Sequence, residues 1–334
     1  MWIDEVTDIL REAAAEAILP RHRALTEGEI TEKTPGEVVT VADREAEALI
    51  TRRLRAVHDV PVVGEEAAAA DPALLHAVRG APQAWLVDPL DGTPNFVAGR
   101  DDYAVMAALV RAGETVAAWI LQPATGVAYV AERGSGAWRT EGPGRGREAT
   151  PDCACLPSVQ ALGDPPPQGL RRAAAEPAGA TPPHGEPVRE VSACPCCARG
   201  GARRIVRGGA SGDPAELRGA ALTGFLSPAA RAHVEASASR VGALSSGTRC
   251  AGVDYPRLAS GELDFLLYHR TLPWDHAPGA LLVAEAGGVV RRPDDASAYR
   301  PSDDRSGLIA AADTHTWRTV RDLLLPPFPR KAHA

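Results

Sequence analysis

No stretch of this 334-residue sequence approaches eighteen consecutive apolar residues, which excludes a single helix long enough to cross a bilayer. Surplus positive charge is missing as well. With 36 Lys and Arg against 43 Asp and Glu, the formal net charge is -7, so a basic surface for nucleic acid is not expected. The N-terminus has no basic start of the signal-peptide kind. Asp4, Glu5 and Asp8 stand there instead, and Ile3, Val6, Ile9, Leu10, Ala13, Ala14, Ala17 and Ile18 recur at a helical period. The expectation is an amphipathic opening helix and a cytoplasmic location. There is no internal repeat. Cysteine is scarce where a secreted fold would need it: of six, only Cys250 lies outside the segment holding Cys153, Cys155, Cys194, Cys196 and Cys197, so no disulfide framework is spread over the chain.

What is present is globular composition, 45% hydrophobic and 24% charged, with length enough for two domains with sizeable cores. Residues 42–58 read as a helix, with Ala46, Leu49, Ile50, Leu54 and Val57 on one face and Asp43 near its start. Short strands at 61–63 and 84–87 precede three strand-like runs at hairpin spacing near 103–111, 115–122 and 127–132. From about 143 to 212 the chain is dense in Pro and Gly and poor in large aliphatics, which predicts a disordered insertion. Ordered sequence is expected to resume near Asp213. Helices at 228–239, 249–259, 275–286 and 313–325 then alternate with strands at 241–244, 263–268, 288–291 and 307–311. The division is thus 1–142, an α+β half; 143–212, the insertion; and 213–328, an α/β half.

Acids stand at the ends of apolar strands or at helix starts in three places: 62-VVGEE-66, 85-WLVDPLDGTPNF-96 and 274-WDHAPGALLVAEAGG-288. Asp88 and Asp91 are held three apart by a proline that fixes φ, so they cannot relax away from one another. Without a partner they would repel, and one would stay protonated. A hard divalent cation such as Mg²⁺ removes that penalty, and the amides of Gly92 and Thr93 stand where a helix start or turn receives a phosphate oxyanion. The run is also turn and N-cap chemistry taken alone. Glu65, Glu66 and Asp275 weigh against that reading, because together the acids exceed what turns need.

These motifs, with 32-EKTPGEVVTVADREAE-47, resemble in order those of the inositol monophosphatase family, over about 1–142 and 213–325. The resemblance implies an α/β fold, the layered αβαβα sandwich of the inositol monophosphatase and fructose bisphosphatase type. It implies a Mg²⁺-dependent, lithium-sensitive phosphatase, commonly a homodimer. Glu65, Asp88 and the carbonyl of Leu90 would hold one Mg²⁺, and Asp88, Asp91 and Asp275 a second, with a third, weaker ion reached from Glu65 through water. Asp43 and Thr93 would orient and deprotonate the attacking water, and Gly92 and Thr93 would grip phosphate. Glu66 reads either as a catalytic residue or as a solvated strand-end acid, and Lys33 either as a phosphate contact or as a surface lysine. Gly247, Thr248 and Arg249 match the turn that lines the family's substrate pocket, and Arg249 would favour a substrate with a second anionic group. Tyr268 stands where the inositol-cleaving members have a Glu, with His269 and Arg270 beside it. The substrate is therefore a small phosphorylated metabolite of open identity: an inositol phosphate, histidinol phosphate, a sugar phosphate or a nucleotide 3'-phosphate. His276, directly after Asp275, reads as a packed or solvent-facing residue rather than a ligand.

Cys153-x-Cys155 and Cys194-Pro-Cys196-Cys197 offer four thiolates for Zn²⁺, but without the usual C-x₂-C spacing. The expected reading is a cysteine-bearing loop. The alternatives to a hydrolase are a non-catalytic phosphate-ligand scaffold, or a zinc- or nucleic-acid-binding protein acting through this segment.

Overall fold

The computed structural model describes residues 2–34, 37–142 and 202–326. The chain opens with α1 (Trp2–Ala13) and passes through the hairpin β1 (Ile30–Thr34) and β2 (Glu37–Thr40) into α2 (Val41–Val57). There follow β3 (Val62–Gly64), α3 (Glu65–Ala70), α4 (Leu75–Gly80), β4 (Gln83–Asp91) and α5 (Thr93–Val97). A meander of β5 (Ala104–Arg111), β6 (Glu114–Gln122), β7 (Val127–Glu132) and β8 (Gly136–Glu141) completes the first half. The second half comprises β9 (Arg203–Ile205), β10 (Arg218–Ala221), α6 (Pro228–Ser237), β11 (Ala243–Ser245), α7 (Ala251–Ala259) and β12 (Phe265–Tyr268). It ends with α8 (Pro273–Glu285), β13 (Val289–Arg291), β14 (Leu308–Ala311) and α9 (Thr314–Leu324).

Side-chain alternation builds the layers. Along β5, Val105, Ala107 and Leu109 join a core with Val6, Ile9 and Leu10 of α1 and Leu49, Ile50 and Leu54 of α2. Ala104 and Met106 point the opposite way, into a second core shared with Tyr255 and Leu258 of α7 and Leu281 and Leu282 of α8. Leu266 and Tyr268 of β12 close that core from the far side, while the alternate Phe265 and Leu267 face Trp317, Val320 and Leu324 of α9 and Val234 of α6. Period-two burial on both sheets therefore stacks helix, sheet, helix, sheet, helix, the αβαβα sandwich expected from the sequence.

The first sheet runs β3-β4-β5-β6-β7-β8-β9, with β3 parallel to β4 and the rest antiparallel. The second runs β11-β10-β12-β14-β13, with β10 parallel to both β11 and β12. One boundary needs correction. Ordered structure resumes before Asp213, because Arg203–Ile205 lies inside the expected insertion yet pairs with β8 and buries Ile205 in the second core. The cysteine pairs proposed for zinc lie outside the described residues. Among the described residues no helix is long and apolar enough to cross a membrane.

Candidate active site

Segments from both halves of the chain converge on one cleft. Its acidic floor begins with Asp88 on β4, which is 1% exposed. Glu65 starts α3 directly after β3, which lies parallel beside β4, so two neighbouring strand ends deliver the two carboxylates side by side. Asp275 arrives from the first turn of α8, whose body is buried between the sheets. One oxygen from each of Glu65, Asp88 and Asp275 lies within 4.8 Å of the other two. Burial, and then the charges of Glu65, Asp91 and Asp275, push Asp88 well above the usual carboxylate range. Burial first, with Asp91 and Glu65 behind it, does the same to Asp275. These groups are mutually destabilised as anions, which is the condition a shared cation relieves.

The donor set fits a hard divalent metal. It is all oxygen, the donor type such an ion takes, and the three carboxylates already place oxygens within 4.8 Å of one another. The Leu90 carbonyl beside them lies 2.9 Å from the Thr93 hydroxyl, whose one proton it shares with Asp43, and the Leu90 amide donates to Asp88 Oδ1 at 3.0 Å.

Asp91 stands slightly apart from the three. Its Oδ2 accepts the Gly252 amide at 2.6 Å and the Cys250 thiol at 3.1 Å, which ties the end of β4 to the start of α7. Burial raises Asp91 to about 6. The thiol is held protonated by burial, so it serves as the donor. Cys250 and Gly252 went unread in the sequence, where nothing local marks a thiol that meets a carboxylate 159 positions away.

Gly92 is required by the turn. Its φ is +82°, and a Cβ would lie 2.8 Å from the Asp102 carbonyl. Thr93 follows as the first residue of α5 and donates toward Asp43 Oδ1 at 3.0 Å. Asp43 is itself the third residue of a capping box on α2: its Oδ2 takes the Thr40 amide at 2.8 Å and the Thr40 hydroxyl at 2.5 Å. Burial raises this carboxyl to about 7 despite those bonds.

Lys33 is not an ordinary surface lysine. It is half-buried on β1 and ion-paired to Glu65, 3.0 Å from Oε1, and to Glu66. Burial lowers its pKa, but the charge of Glu65 and the bond to Glu66 more than reverse this, leaving the ammonium held above its ordinary value. Glu66 is thus neutralised by a cation rather than solvated, and burial pushes its own carboxyl up.

The cleft encloses about 460 Å³, and its far wall comes from the second half, including Ser246, Arg249, Tyr268 and Phe225. Gly247 and Thr248 shape this wall without lining it. Thr248 donates its amide to Asp254 at 3.1 Å and its hydroxyl to the same carboxylate at 3.0 Å, which fastens the turn. That turn leaves Arg249 at φ 62°, in the left-handed region where a bulky residue is strained. Arg249 makes no ion pair among the described residues. The Tyr268 hydroxyl is buried and has no partner among them. Arg270 pairs with Glu37 across the cleft and lies 4.6 Å over the Phe225 ring. Of the two readings of His276, the packed one holds: Tyr255 meets its Nδ1 at 2.9 Å, and its Nε2 meets the Arg270 carbonyl at 3.0 Å. Burial lowers its pKa to about 3, so the ring is neutral. Nε2 must then donate to the carbonyl, and Nδ1 accepts from tyrosine.

A buried carboxylate cluster beside an aspartate-supported threonine, set in a five-layer αβαβα sandwich, places the chain among the phosphoric monoester hydrolases. The model of the inositol monophosphatase family matches residues 2–165 and 206–325, and the chain belongs to that family. It is 27% identical over 307 residues to the inositol-1-monophosphatase of Rhizobium meliloti, covering 91% of this chain and 88% of that protein. To the inositol-1-monophosphatase of Mycobacterium leprae it is 30% identical, over 78% of this chain and 70% of the relative. A 3'(2'),5'-bisphosphate nucleotidase CysQ of Escherichia coli is 32% identical over 42% of this chain and 54% of its own length. Among solved structures, the extragenic suppressor protein suhB of Bartonella henselae superposes with a TM-score of 0.64 at 21% identity, over 96% of this chain and 98% of that one. That likeness is one of fold.

Proposed function

We propose that the chain hydrolyses a small phosphate monoester in a Mg²⁺-dependent, lithium-sensitive reaction. Glu65, Asp88, Asp91, Asp275 and the Leu90 carbonyl would hold the metal. The observation that carries this reading is the convergence of Glu65, Asp88 and Asp275 within 4.8 Å, beside the Asp43–Thr93 bond. When bound, Mg²⁺ would offset charge on the phosphate and the leaving alkoxide and lower the pKa of a water.

The chain's own residues do the rest. Thr93 Oγ1 accepts a proton from the attacking water while passing its own to Asp43 Oδ1. The water oxygen bonds to phosphorus, the ester P–O bond breaks, the leaving alkoxide takes a proton from solvent water, and Asp43 returns its proton to solvent. For Asp43 to receive that proton it must begin ionised, and Thr40 supports the ionised form with two bonds. The Gly92 and Thr93 amides face the phosphate at the α5 start. Lys33 screens Glu65 and Glu66 and keeps them oriented toward the floor.

The far wall favours a substrate whose alcohol part presents acceptors. Arg249 and the Tyr268 hydroxyl are both donors, and neither has a partner among the described residues. A polyol hydroxyl can accept from such groups, but a second phosphate or carboxylate takes charge-assisted bonds from them. The names of the relatives span both types, an inositol monophosphate and a nucleotide bisphosphate. The test is a panel of phosphorylated metabolites with Mg²⁺, read by phosphate release. Release with Mg²⁺ that stops in EDTA supports hydrolysis. Tight phosphate binding with no turnover of any ester would leave the scaffold reading in its place.

A further inference from the structure

One buried carboxylate near the site has no part in the reaction described above. Glu47 lies on α2 one turn after Asp43, on the same face of the helix, and is 7% exposed. Its Oε2 accepts the Glu66 amide at 2.8 Å and its Oε1 the Ala67 amide at 2.9 Å. These are N–H groups of the first turn of α3, from the second and third residues of the six-residue helix that begins with Glu65. The residue before that helix is Gly64, which has no side chain to cap it. Gly64 has no room for one either: an added Cβ would stand 2.3 Å from the Glu47 carboxyl carbon.

We propose that Glu47 is a positioning residue that caps α3 from a distance and so aims the Glu65 carboxylate at Asp88 and Asp275. The inference rests on the metal-dependent reading above. A helix this short is fixed by its ends rather than by its length. With both amides bound to one carboxylate, the orientation of the first turn follows that of α2. The same α2 presents Asp43 to Thr93 at 3.0 Å. One rigid helix therefore sets both the proton acceptor of the reaction and, through α3, a ligand of its metal. Lys33 holds Glu65 from the opposite side. Partners that orient a ligand in this way typically govern metal affinity by about 10–100-fold.

The experiment measures Mg²⁺ affinity calorimetrically on the full chain, wild type against Glu47→Gln, with melting temperatures in EDTA. Glutamine keeps one acceptor for an amide and turns an NH₂ toward the other. The expected result is Mg²⁺ binding weakened about 10–100-fold, with kcat at saturating Mg²⁺ lowered far less than affinity. Val320→Ala, on α9 where it packs against Phe265 and Leu267, serves as a destabilised control expected to bind Mg²⁺ normally. Should Glu47→Gln not fold, Glu47→Asp, which keeps the charge and shortens the reach, is read by the same criterion. Wild-type affinity in the Glu47 variant, or equal weakening in Val320→Ala, overturns the proposal. A wild-type chain that binds no Mg²⁺ overturns the metal-dependent reading together with this one, so the two failures are distinguishable.

Discussion

Thr93 Oγ1 lies 3.0 Å from Asp43 Oδ1, joining residues fifty positions apart and two separate helix starts. In the reaction proposed above, the two groups would form a proton path that ends on a buried carboxylate. Removing that terminus while leaving the metal ligands intact isolates its contribution. Asp43→Asn should lower kcat by about 10²–10⁴-fold, the usual worth of a positioned general base. Thr93→Ala should fall in the same range. Mg²⁺ affinity should change little in either. A variant with wild-type kcat removes the pair from the reaction.

The same carboxylate sets a pH dependence. Burial raises Asp43 to about 7, and only its ionised form takes a proton. At saturating Mg²⁺, kcat should therefore rise with pH through the acid range and level off above the pKa of Asp43. Asp43→Asn should abolish that limb. A profile of wild-type kcat that is level from pH 5 to 8 contradicts this assignment.

Stability without metal should run the other way. Asp88 and Asp275 are held above the ordinary carboxylate range, so the folded chain binds more protons than the unfolded one. Their contribution is fully present below the unfolded pKa, about 3.9, and is lost as pH rises toward the folded values. In EDTA, the melting temperature should fall on going from pH 5 to pH 8, and the fall should shrink in the double variant Asp88→Asn/Asp275→Asn. An equal fall in both proteins would acquit these acids.

On the far wall, Arg249→Ala should raise KM at least about tenfold for an ester carrying a second anionic group, the size of one hydrogen bond to a charged partner. For a monoester without that group KM should stay put. Equal KM values across the panel would show that Arg249 does not touch substrate.

Most of the site could be read before folding because its residues sit in compact runs. 85-WLVDPLDGTPNF-96 names two acids, a carbonyl, a turn glycine and the threonine, and alternation plus helical period marks the elements that carry them. What escaped reading depends on distant partners. Glu47 resembles any glutamate on a helix until α3 is placed against it. Lys33 looks like any lysine near a turn until its ion pair with Glu65 is seen. β10 carries no strand signal because Gly219 leaves its run without bulk; a Cβ added there would stand 2.4 Å from the Phe265 ring. β9 was hidden in Pro- and Gly-dense surroundings, and it is recognisable only as the antiparallel neighbour of β8.

The pairing of Arg139 with Arg203 gives the molecule a natural docking port for engineering. The backbone departs after β8 and re-enters at β9, the rim strand five places from β4, or roughly 24 Å at ordinary strand spacing. A fluorescent reporter or purification handle spliced between Gly142 and Ala202 would join the described structure at β8 and β9, at the opposite edge of the sheet from β3. Any trimmed version should stop short of Arg203, since cutting further strips the sheet of its outermost strand.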